Sequence, residues 1–338
     1  MKRDAFFDNA KILLIFLVVF GHMIQPFTDG SRPMYTLYTW IYTFHMPAFI
    51  FLAGFFAKGS GEKDYIFQLA KKLILPYLIF QLVYTGYYFF IGKEASLNGI
   101  FYPHWSLWFL FSLFCWHILL YWFKKIPPLL GVVIAVQIGV LVGYFTEIGH
   151  HFSLSRTFVF FPFFLAGYWL TKEHVHKWRT RRVKEFSLVL MTVVATVIAL
   201  FPEFSSGWLL GSKSYAALSS PEMGGLFRFG VYMLAALMTV SVFAWIPNKE
   251  YKITYLGGKT LYVYLLHGFF IQFFRQAGWF KVDHLFDVLG LAIVSAAIVY
   301  VLSSSMIRTL TQPFIEGRIQ LMKKWWRRLQ GKDPTVQS

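Results

Sequence analysis

Hydrophobic residues are concentrated in long runs with almost no charged side chains, separated by short polar connections. A helix needs roughly 20 apolar residues to cross a hydrocarbon core about 30 Å thick, and about 17–25 is the usual range. Ten runs approach this length and predict ten membrane-spanning helices. For one of them, a tilted or re-entrant helix is the alternative. They occupy residues 12–27, 35–57, 73–91, 105–123, 129–145, 157–170, 187–201, 229–246, 261–274 and 285–305.

The composition agrees with this pattern. Hydrophobic residues make up 57% of the 338 residues and charged residues 14%, against about 45–50% and about 25% in soluble domains. Such a chain is too hydrophobic for intrinsic disorder, and a soluble nucleic-acid binder is disfavoured despite a net charge of +16. One cysteine, Cys115, excludes an intrachain disulfide. We predict an all-α integral membrane protein with a transmembrane domain (1–305) and a tail (306–338).

The basic residues indicate how the helices are oriented. With ten spans, 25 of the 32 Lys and Arg residues fall on the side that carries both termini, and seven on the other. Because cytoplasmic loops are enriched in Lys and Arg, both termini are predicted to be cytoplasmic, in the cell membrane. The Lys-Lys-Trp-Trp-Arg-Arg segment at 323–328 is typical of a contact with the anionic inner leaflet. An RNA-binding tail is the alternative, and we predict a lipid partner and no nucleic acid.

The first apolar run carries polar residues that membrane burial does not explain. Lys11 and His22 are eleven residues apart, which on a helix brings them to within about 20° of one face and separates them by roughly 16 Å along the axis. Asp8 lies on the same stripe. This layout suits an anionic ligand that enters from the cytoplasm and presents its other end to a base.

Histidine is the side chain best suited to general-base chemistry near neutral pH. The alternative is that His22 only hydrogen-bonds a neighbouring helix and Lys11 only marks the membrane boundary. His45 and His267 also lie within apolar runs and are expected to line the interior. The His150-His151 and His174-x-His176 pairs have no convincing further ligands, so no metal site is predicted.

One sequence element occurs twice. Phe51-Leu52-Ala53-Gly54-Phe55-Phe56 recurs as Phe164-Leu165-Ala166-Gly167-Tyr168-Trp169, and a proline precedes each copy. Small residues permit close helix contact in lipid, so the element predicts helix packing. Two copies are too few to establish a repeat.

Several motifs follow one another in order along the chain. They are Lys11 with Val18-Val19-Phe20-Gly21-His22, Phe44-His45-Met46-Pro47 with Phe51-Leu52-Ala53-Gly54-Phe55, Lys71-Lys72-Leu73-Ile74-Leu75-Pro76-Tyr77, Trp105-Ser106-Leu107-Trp108-Phe109-Leu110, Arg156 with Phe161-Pro162-Phe163-Phe164, and Tyr264-Leu265-Leu266-His267. This ordered set resembles the acyltransferase-3 family of integral membrane O-acyltransferases, in particular its fucose 4-O-acetylase-like branch. The resemblance covers residues 8–268. Two departures are Lys11, where many relatives have Arg, and Ala53 in place of a common Ser.

The resemblance implies transfer of an acyl group, with acetyl as the expected case, from acyl-CoA to a hydroxyl of a glycan or glycolipid. Lys11, Lys71 and Lys72 would hold the donor phosphates, and His22 would deprotonate the acceptor or take up the acyl group itself. The predicted catalytic residues are His22 and Asp8. The predicted substrate-binding residues are Lys11, Lys71, Lys72, Arg156, His45, His267, Trp105 and Trp108. No metal and no cofactor is predicted beyond the acyl-CoA donor.

Two other classes of protein remain compatible with the pattern of spans. A transporter for a metabolite or polysaccharide would also place polar residues and prolines within its helices. Against it, the repeated Phe-Leu-Ala-Gly element is not an inverted repeat, and no buried carboxylate for ion coupling is predicted within the spans. A structural assembly protein would not depend on His22 at all.

Overall fold

The structure, a computed structural model, describes residues 4–58, 65–93, 102–148 and 153–317. Within these ranges the chain is helical and contains no β-strand. The helices are α1 (Ala5–Ile24), α2 (Arg32–Tyr42), α3 (His45–Phe55), α4 (Tyr65–Phe90), α5 (Trp108–Phe123), α6 (Pro128–Leu141), α7 (Leu154–Trp169), α8 (Lys172–Lys177), α9 (Arg181–Leu200), α10 (Gly207–Leu210), α11 (Gly224–Trp245), α12 (Thr260–Ala277), α13 (Leu285–Leu302) and α14 (Ser305–Ile315). The basic segment 323–328 and the His150-His151 pair lie outside the described residues.

Each predicted apolar run overlaps a helix, and one run is divided into two. Run 35–57 forms α2 and α3, eleven residues each, with a break at Thr43 and Phe44. Pro47 has no N–H to bond the carbonyl of Thr43, so an uninterrupted helix through this point would lose a hydrogen bond. Pro47 instead occupies the first turn of α3, where a missing donor is tolerated.

The lengths of the helices identify a multi-pass membrane protein. Four helices in the described part are long and apolar enough to cross a membrane: Ala5–Phe27, Tyr65–Phe90, Arg181–Leu200 and Gly224–Trp245. A fifth candidate is the pair Phe286–Leu302 and Ser305–Ile315, bent by 69°. The segment predicted to begin a tail at 306 therefore starts as helix α14. The total of ten spans and the side of each terminus stay predictions.

Helix α1 lies at the centre and packs against α2, α3, α12 and α13. Its first half is tied to the 247–254 connection by buried Asn9. The Asn9 amide donates to the carbonyls of Pro247 and Lys249 at 2.9 and 3.0 Å, and its oxygen accepts from Thr254 at 2.7 Å. In the second half, Gly21 lets the ring of Tyr42 approach, since a Cβ there would lie 3.0 Å from that ring. A central position with both ends anchored holds the Lys11–His22 stripe in place.

The recurring Phe-Leu-Ala-Gly element is a packing contact between α3 and α7. Gly54 of α3 faces the backbone of Phe164, and Gly167 of α7 faces the backbone of Phe51. A Cβ at either glycine would overlap the main chain of the opposite helix. The two copies therefore pack on each other, as small residues at a membrane helix crossing permit.

The face of α1 turned away from the Lys11–His22 stripe borders a groove of about 830 Å³. Ile12, Leu13, Phe16 and Leu17 line it together with apolar residues of α9, α11 and α13. Large apolar side chains are exposed elsewhere on the outer surface too, among them Phe89 and Phe286. Extensive exposed apolar surface is typical of a lipid-facing protein exterior.

Candidate active site

His22 lies in the last turn of α1 among aromatic rings. Its imidazole centroid is 4.3 Å from the ring of Trp105 and 5.7 Å from the ring of His267. The Tyr42 hydroxyl lies 3.4 Å from His22 Nδ1. Four elements of the fold thus converge on one side chain: α1, α2, α12 and the connection that carries Trp105.

The carbonyl of His22 is held by Arg275 of α12. In a continuous helix this oxygen would accept from residue 26, but Pro26 has no N–H. Arg275 donates to it from Nη2 at 2.5 Å and to Gln25 Oε1 at 2.8 Å, and its guanidinium lies 5.6 Å from the centroid of Trp105. A missing backbone donor in α1 is therefore replaced by a cation from another helix.

His267 and His45 have the same hydrogen-bonding arrangement. His267 Nδ1 lies 3.0 and 2.7 Å from the carbonyls of Val263 and Tyr264, and His45 Nδ1 lies 3.0 Å from that of Ile41. Because a carbonyl only accepts, each Nδ1 carries a proton, and in its neutral form each ring has its lone pair on Nε2. His267 Nε2 is buried and has no partner among the described residues. The ring is therefore left with an acceptor facing the site.

A second arginine approaches the same region from α7. The guanidinium of Arg156 lies 5.0 Å from the centroid of the Trp108 ring. It interacts electrostatically with His22, Tyr42 and Tyr264, and its buried Nε has no hydrogen-bond partner in the described part of the chain. Arg156 is thus available to stabilise negative charge near His22.

His22 also borders a small cavity. A cavity of about 30 Å³ is lined by Ile15, Val18, His22, Met46, Phe49, Ser106, Trp108, Phe109 and Tyr264. Trp105 stands beside His22 with φ 40°, a left-handed conformation that is rare for a bulky residue. Sparsely populated conformations of this kind cost of order 1–3 kcal/mol and are concentrated at functional sites.

Four predicted residues lie away from His22: Asp8 and Lys11 near the first turns of α1, and Lys71 and Lys72 on α4. Asp8 is buried, and its Oδ1 forms an ion pair with Lys11 Nζ at 2.9 Å. The Lys11 ammonium also lies 4.7 Å from the centroid of the Phe56 ring. Fourteen residues along α1 place Asp8 about 21 Å from His22 along the axis, so the two are not in contact. Lys71 and Lys72 are exposed on α4, and no described contact joins either of them to Lys11.

The structure therefore collects five of the predicted residues around His22: His45, His267, Trp105, Trp108 and Arg156. Arg275, which contacts His22 directly, was missed. A signal for it existed, because Arg275 is one of only seven basic residues on the predicted outer side. Only the tertiary structure shows that its side chain turns back to His22.

Apolar helices around a polar cluster are typical of a membrane protein with a functional site in its interior. Residues 4–307 match the acyltransferase domain, and the chain belongs to the acyltransferase-3 family. The match covers most of the chain and favours a membrane acyltransferase over a transporter or a structural protein.

Two curated relatives are the nodulation proteins NolL of Sinorhizobium fredii and Mesorhizobium japonicum. The first is 30% identical over 123 residues, which cover 32% of this chain and 34% of that protein. The second is 34% identical over 98 residues, a quarter of each protein. The matched regions thus span only about a third and a quarter of the length of these relatives. No solved structure matches the chain.

Proposed function

We propose that this protein transfers an acyl group, acetyl in the first instance, from acyl-CoA on the cytoplasmic side to a hydroxyl of a glycan or glycolipid. In this proposal it resides in the cell membrane with both termini in the cytoplasm. The observation that carries the proposal is the geometry of α1. One helix face presents a lysine at one end and, about 16 Å along the axis, a histidine surrounded by polar and aromatic side chains.

Lys11 is the donor-binding group in this mechanism. Its ammonium would contact a phosphate of the donor as a point charge, since lysine cannot make the bidentate contact of an arginine. Asp8 fixes that ammonium through the 2.9 Å ion pair. An extended pantetheine arm can follow the stripe from Lys11 and deliver its thioester to His22. Lys71 and Lys72 would add a basic surface at the point of entry.

His22 carries out the chemistry in one of two ways. As a general base, it takes the proton of the acceptor hydroxyl while that oxygen attacks the thioester carbonyl. The C–S bond then breaks and the CoA thiolate leaves with a proton. As a nucleophile, a ring nitrogen attacks the thioester carbonyl first, the C–S bond breaks, and the CoA thiolate leaves. The acceptor hydroxyl then attacks the acyl group, the bond from the carbonyl carbon to the ring nitrogen breaks, and the hydroxyl proton passes to the released imidazole.

Both routes pass through a tetrahedral intermediate with a negatively charged oxygen. Arg156 and the Tyr42 hydroxyl lie within electrostatic or hydrogen-bonding range of His22, and preorganised donors of this kind stabilise developing oxyanions. Trp105 packs on the imidazole of His22, and His267 presents an acceptor toward the same space. These groups support the reaction without deciding between the two routes.

The test is transfer from labelled acetyl-CoA into membrane and envelope glycans, compared at equal expression. His22→Ala is expected to lower the rate by about 10²–10⁴-fold, the usual contribution of a general base. His176→Ala, at an exposed position on α8, is the matched control and is expected to retain the wild-type rate. Undiminished transfer by His22→Ala would overturn the proposal. An acyl-histidine detected by mass spectrometry after mixing with acetyl-CoA alone would identify the covalent route.

A further inference from the structure

A second pocket lies next to His22, where α1 ends. Its volume is about 460 Å³, and its lining includes Met23, Gln25, Phe27, Phe274, Arg275 and Phe280. Ligand pockets commonly measure about 300–1,000 Å³. In the predicted topology this end of α1 lies on the outer side, opposite the donor-binding Lys11. His22 lines the small cavity, and its chain neighbour Met23 and its hydrogen-bond partner Arg275 line the pocket.

Arg275 brings an uncompensated positive charge to this pocket. Among residues 4–58, 65–93, 102–148 and 153–317, no carboxylate forms an ion pair with it. Its two hydrogen bonds go to neutral oxygens, the His22 carbonyl and Gln25 Oε1. Its Nε is buried and has no partner in the same ranges. Buried charges in proteins are normally paired, because removing a charge from water is costly.

The surroundings of Arg275 add further donors. Gln272 is almost fully buried one turn earlier on α12, and its oxygen accepts from Lys93 Nζ at 2.8 Å. Its Nε2 has no partner in the described part of the chain. Burial, and next the charge of Arg275, lower the pKa of Lys93. Neither Gln272 nor Lys93 lines the pocket, so they add positive potential close to Arg275 and no direct contact with a ligand.

We infer that this pocket binds the acceptor and selects one that carries an anionic group, a carboxylate or a phosphate, close to the hydroxyl to be acylated. The inference rests on the proposed acyl transfer for the role of the pocket. A guanidinium recognises either group through charge-assisted hydrogen bonds. The same side chain holds the backbone of His22, so the anion would place the hydroxyl beside the imidazole.

Aromatic side chains suit the rest of such a ligand. Phe274 and Phe280 meet edge to face, with centroids 5.1 Å apart, and Phe27 also lines the pocket. Flat apolar rings pack against the C–H faces of a sugar, while a single cation fixes its orientation. A few convergent polar groups in a mainly apolar pocket are the usual composition of a ligand site.

The test is binding to the full-length protein in nanodiscs of phosphatidylcholine, followed by calorimetry. The probes are glucuronic acid, glucose 6-phosphate and neutral glucose. At least one anionic probe is expected to bind about tenfold or more tightly than glucose, and comparing the two separates carboxylate from phosphate recognition. Equal affinity for all three would overturn the inference without any mutation.

Variants then assign the preference to Arg275. Arg275→Gln is expected to abolish it, Arg275→Lys to retain part of it, and Lys281→Gln, an exposed cation outside the pocket, to leave it unchanged. A preference that survives Arg275→Gln would show that this arginine only supports the end of α1. Comparison of each variant with wild type by thermal unfolding separates loss of binding from loss of fold.

His22→Ala distinguishes this inference from the proposed function. The variant is expected to lose transfer but keep the preference for anionic probes. Equal transfer to anionic and neutral acceptors, insensitive to Arg275→Gln, would overturn the inference and leave acyl transfer standing. If the wild-type protein preferred anionic probes but transferred no acyl group, the proposed acyl transfer would be overturned and the anion-binding pocket would stand.

Discussion

Gly54 and Gly167 hold α3 and α7 together by a reciprocal contact in which each glycine meets the other helix's backbone. Adding a methyl group to either would force the main chains apart. We expect Gly54→Ala and Gly167→Ala each to lower the free energy of unfolding by about 1–3 kcal/mol, the typical cost of overpacking. Thermal unfolding of the purified protein in detergent measures the effect.

Gly230→Ala is the matched control for these two substitutions. Gly230 lies within α11, and nothing would lie within 4 Å of its added Cβ. Because alanine favours a helix by about 1 kcal/mol over glycine, this variant is expected to be neutral or slightly stabilised. If all three variants lost stability equally, the α3–α7 contact would not be the cause.

Arg32 at the start of α2 caps the carboxyl end of α9. Its guanidinium donates to the carbonyls of Ile198 and Ala199 at 2.6 and 2.9 Å, and also to that of Phe201. Charge-assisted hydrogen bonds contribute about 1.5–3 kcal/mol each, so Arg32→Met is expected to destabilise the protein by at least this amount. Urea or thermal unfolding measures it.

Two companion variants separate the geometry of this cap from its charge. Arg32→Lys keeps the charge but loses the planar fork, and should retain only part of the stability. Glu203→Gln removes an exposed ion pair with Arg32 and should change the unfolding free energy by less than about 1 kcal/mol. A larger loss from Glu203→Gln than from Arg32→Met would contradict the assignment of the cap.

His267 is expected to act through the lone pair on its Nε2. His267→Asn can replace the Nδ1–H donor to the Val263 and Tyr264 carbonyls but leaves no acceptor at Nε2. His267→Gln places an amide near Nε2 instead. We therefore predict that His267→Asn lowers kcat by about tenfold or more, the equivalent of 1.4 kcal/mol. His267→Gln should lose less, and KM for acetyl-CoA should change little in both. Equal activity of the two variants would show that the lone pair on His267 Nε2 has no part in the reaction.

Lys11 is expected to govern donor affinity. Lys11→Met removes the phosphate contact and should raise KM for acetyl-CoA by about tenfold, since a charged hydrogen bond contributes about 1.5–3 kcal/mol. Lys11→Arg should retain the wild-type KM or improve on it. Lys177→Met, at an exposed position on α8, is the control for the loss of one charge and should leave KM unchanged. A fall in kcat with KM unchanged in Lys11→Met would argue against donor binding.

His104 gives the protein a pH-dependent stability on the predicted outer side. Burial, and next the charge of Lys93, lower the pKa of His104 below its ordinary value of 6.5. The unfolded chain thus binds this proton more readily than the folded chain. Stability contributed by neutral His104 is therefore present above the ordinary pKa and is lost as the pH falls toward the lowered one.

The expected result is a fall in unfolding temperature as the pH drops below about 6.5, and this fall should be shallower in His104→Gln than in wild type. His176→Gln, at an exposed position on α8, should leave the slope unchanged. Parallel curves for wild type and His104→Gln would show that this histidine does not titrate differently on folding.

The helices and one face of the site were predictable from local pattern alone. Lys11 and His22 lie on one unbroken helix, so their relation follows from helix geometry. The division of run 35–57 was not predicted, because a proline such as Pro47 is tolerated within many membrane helices. The contact of Arg275 with His22 joins residues 253 positions apart. No periodicity encodes such a contact, since it depends on how α1 and α12 pack.

The cavity of about 30 Å³ beside His22 carries a consequence for timing. Ligand pockets commonly measure about 300–1,000 Å³, so the space beside His22 is far smaller than a site for an acyl thioester. If His22 carries out the proposed transfer, the side chains around it must first move apart to admit the thioester. Rearrangements of this kind take place in microseconds to milliseconds. For the proposed reaction we therefore expect a conformational step before the acyl group is transferred.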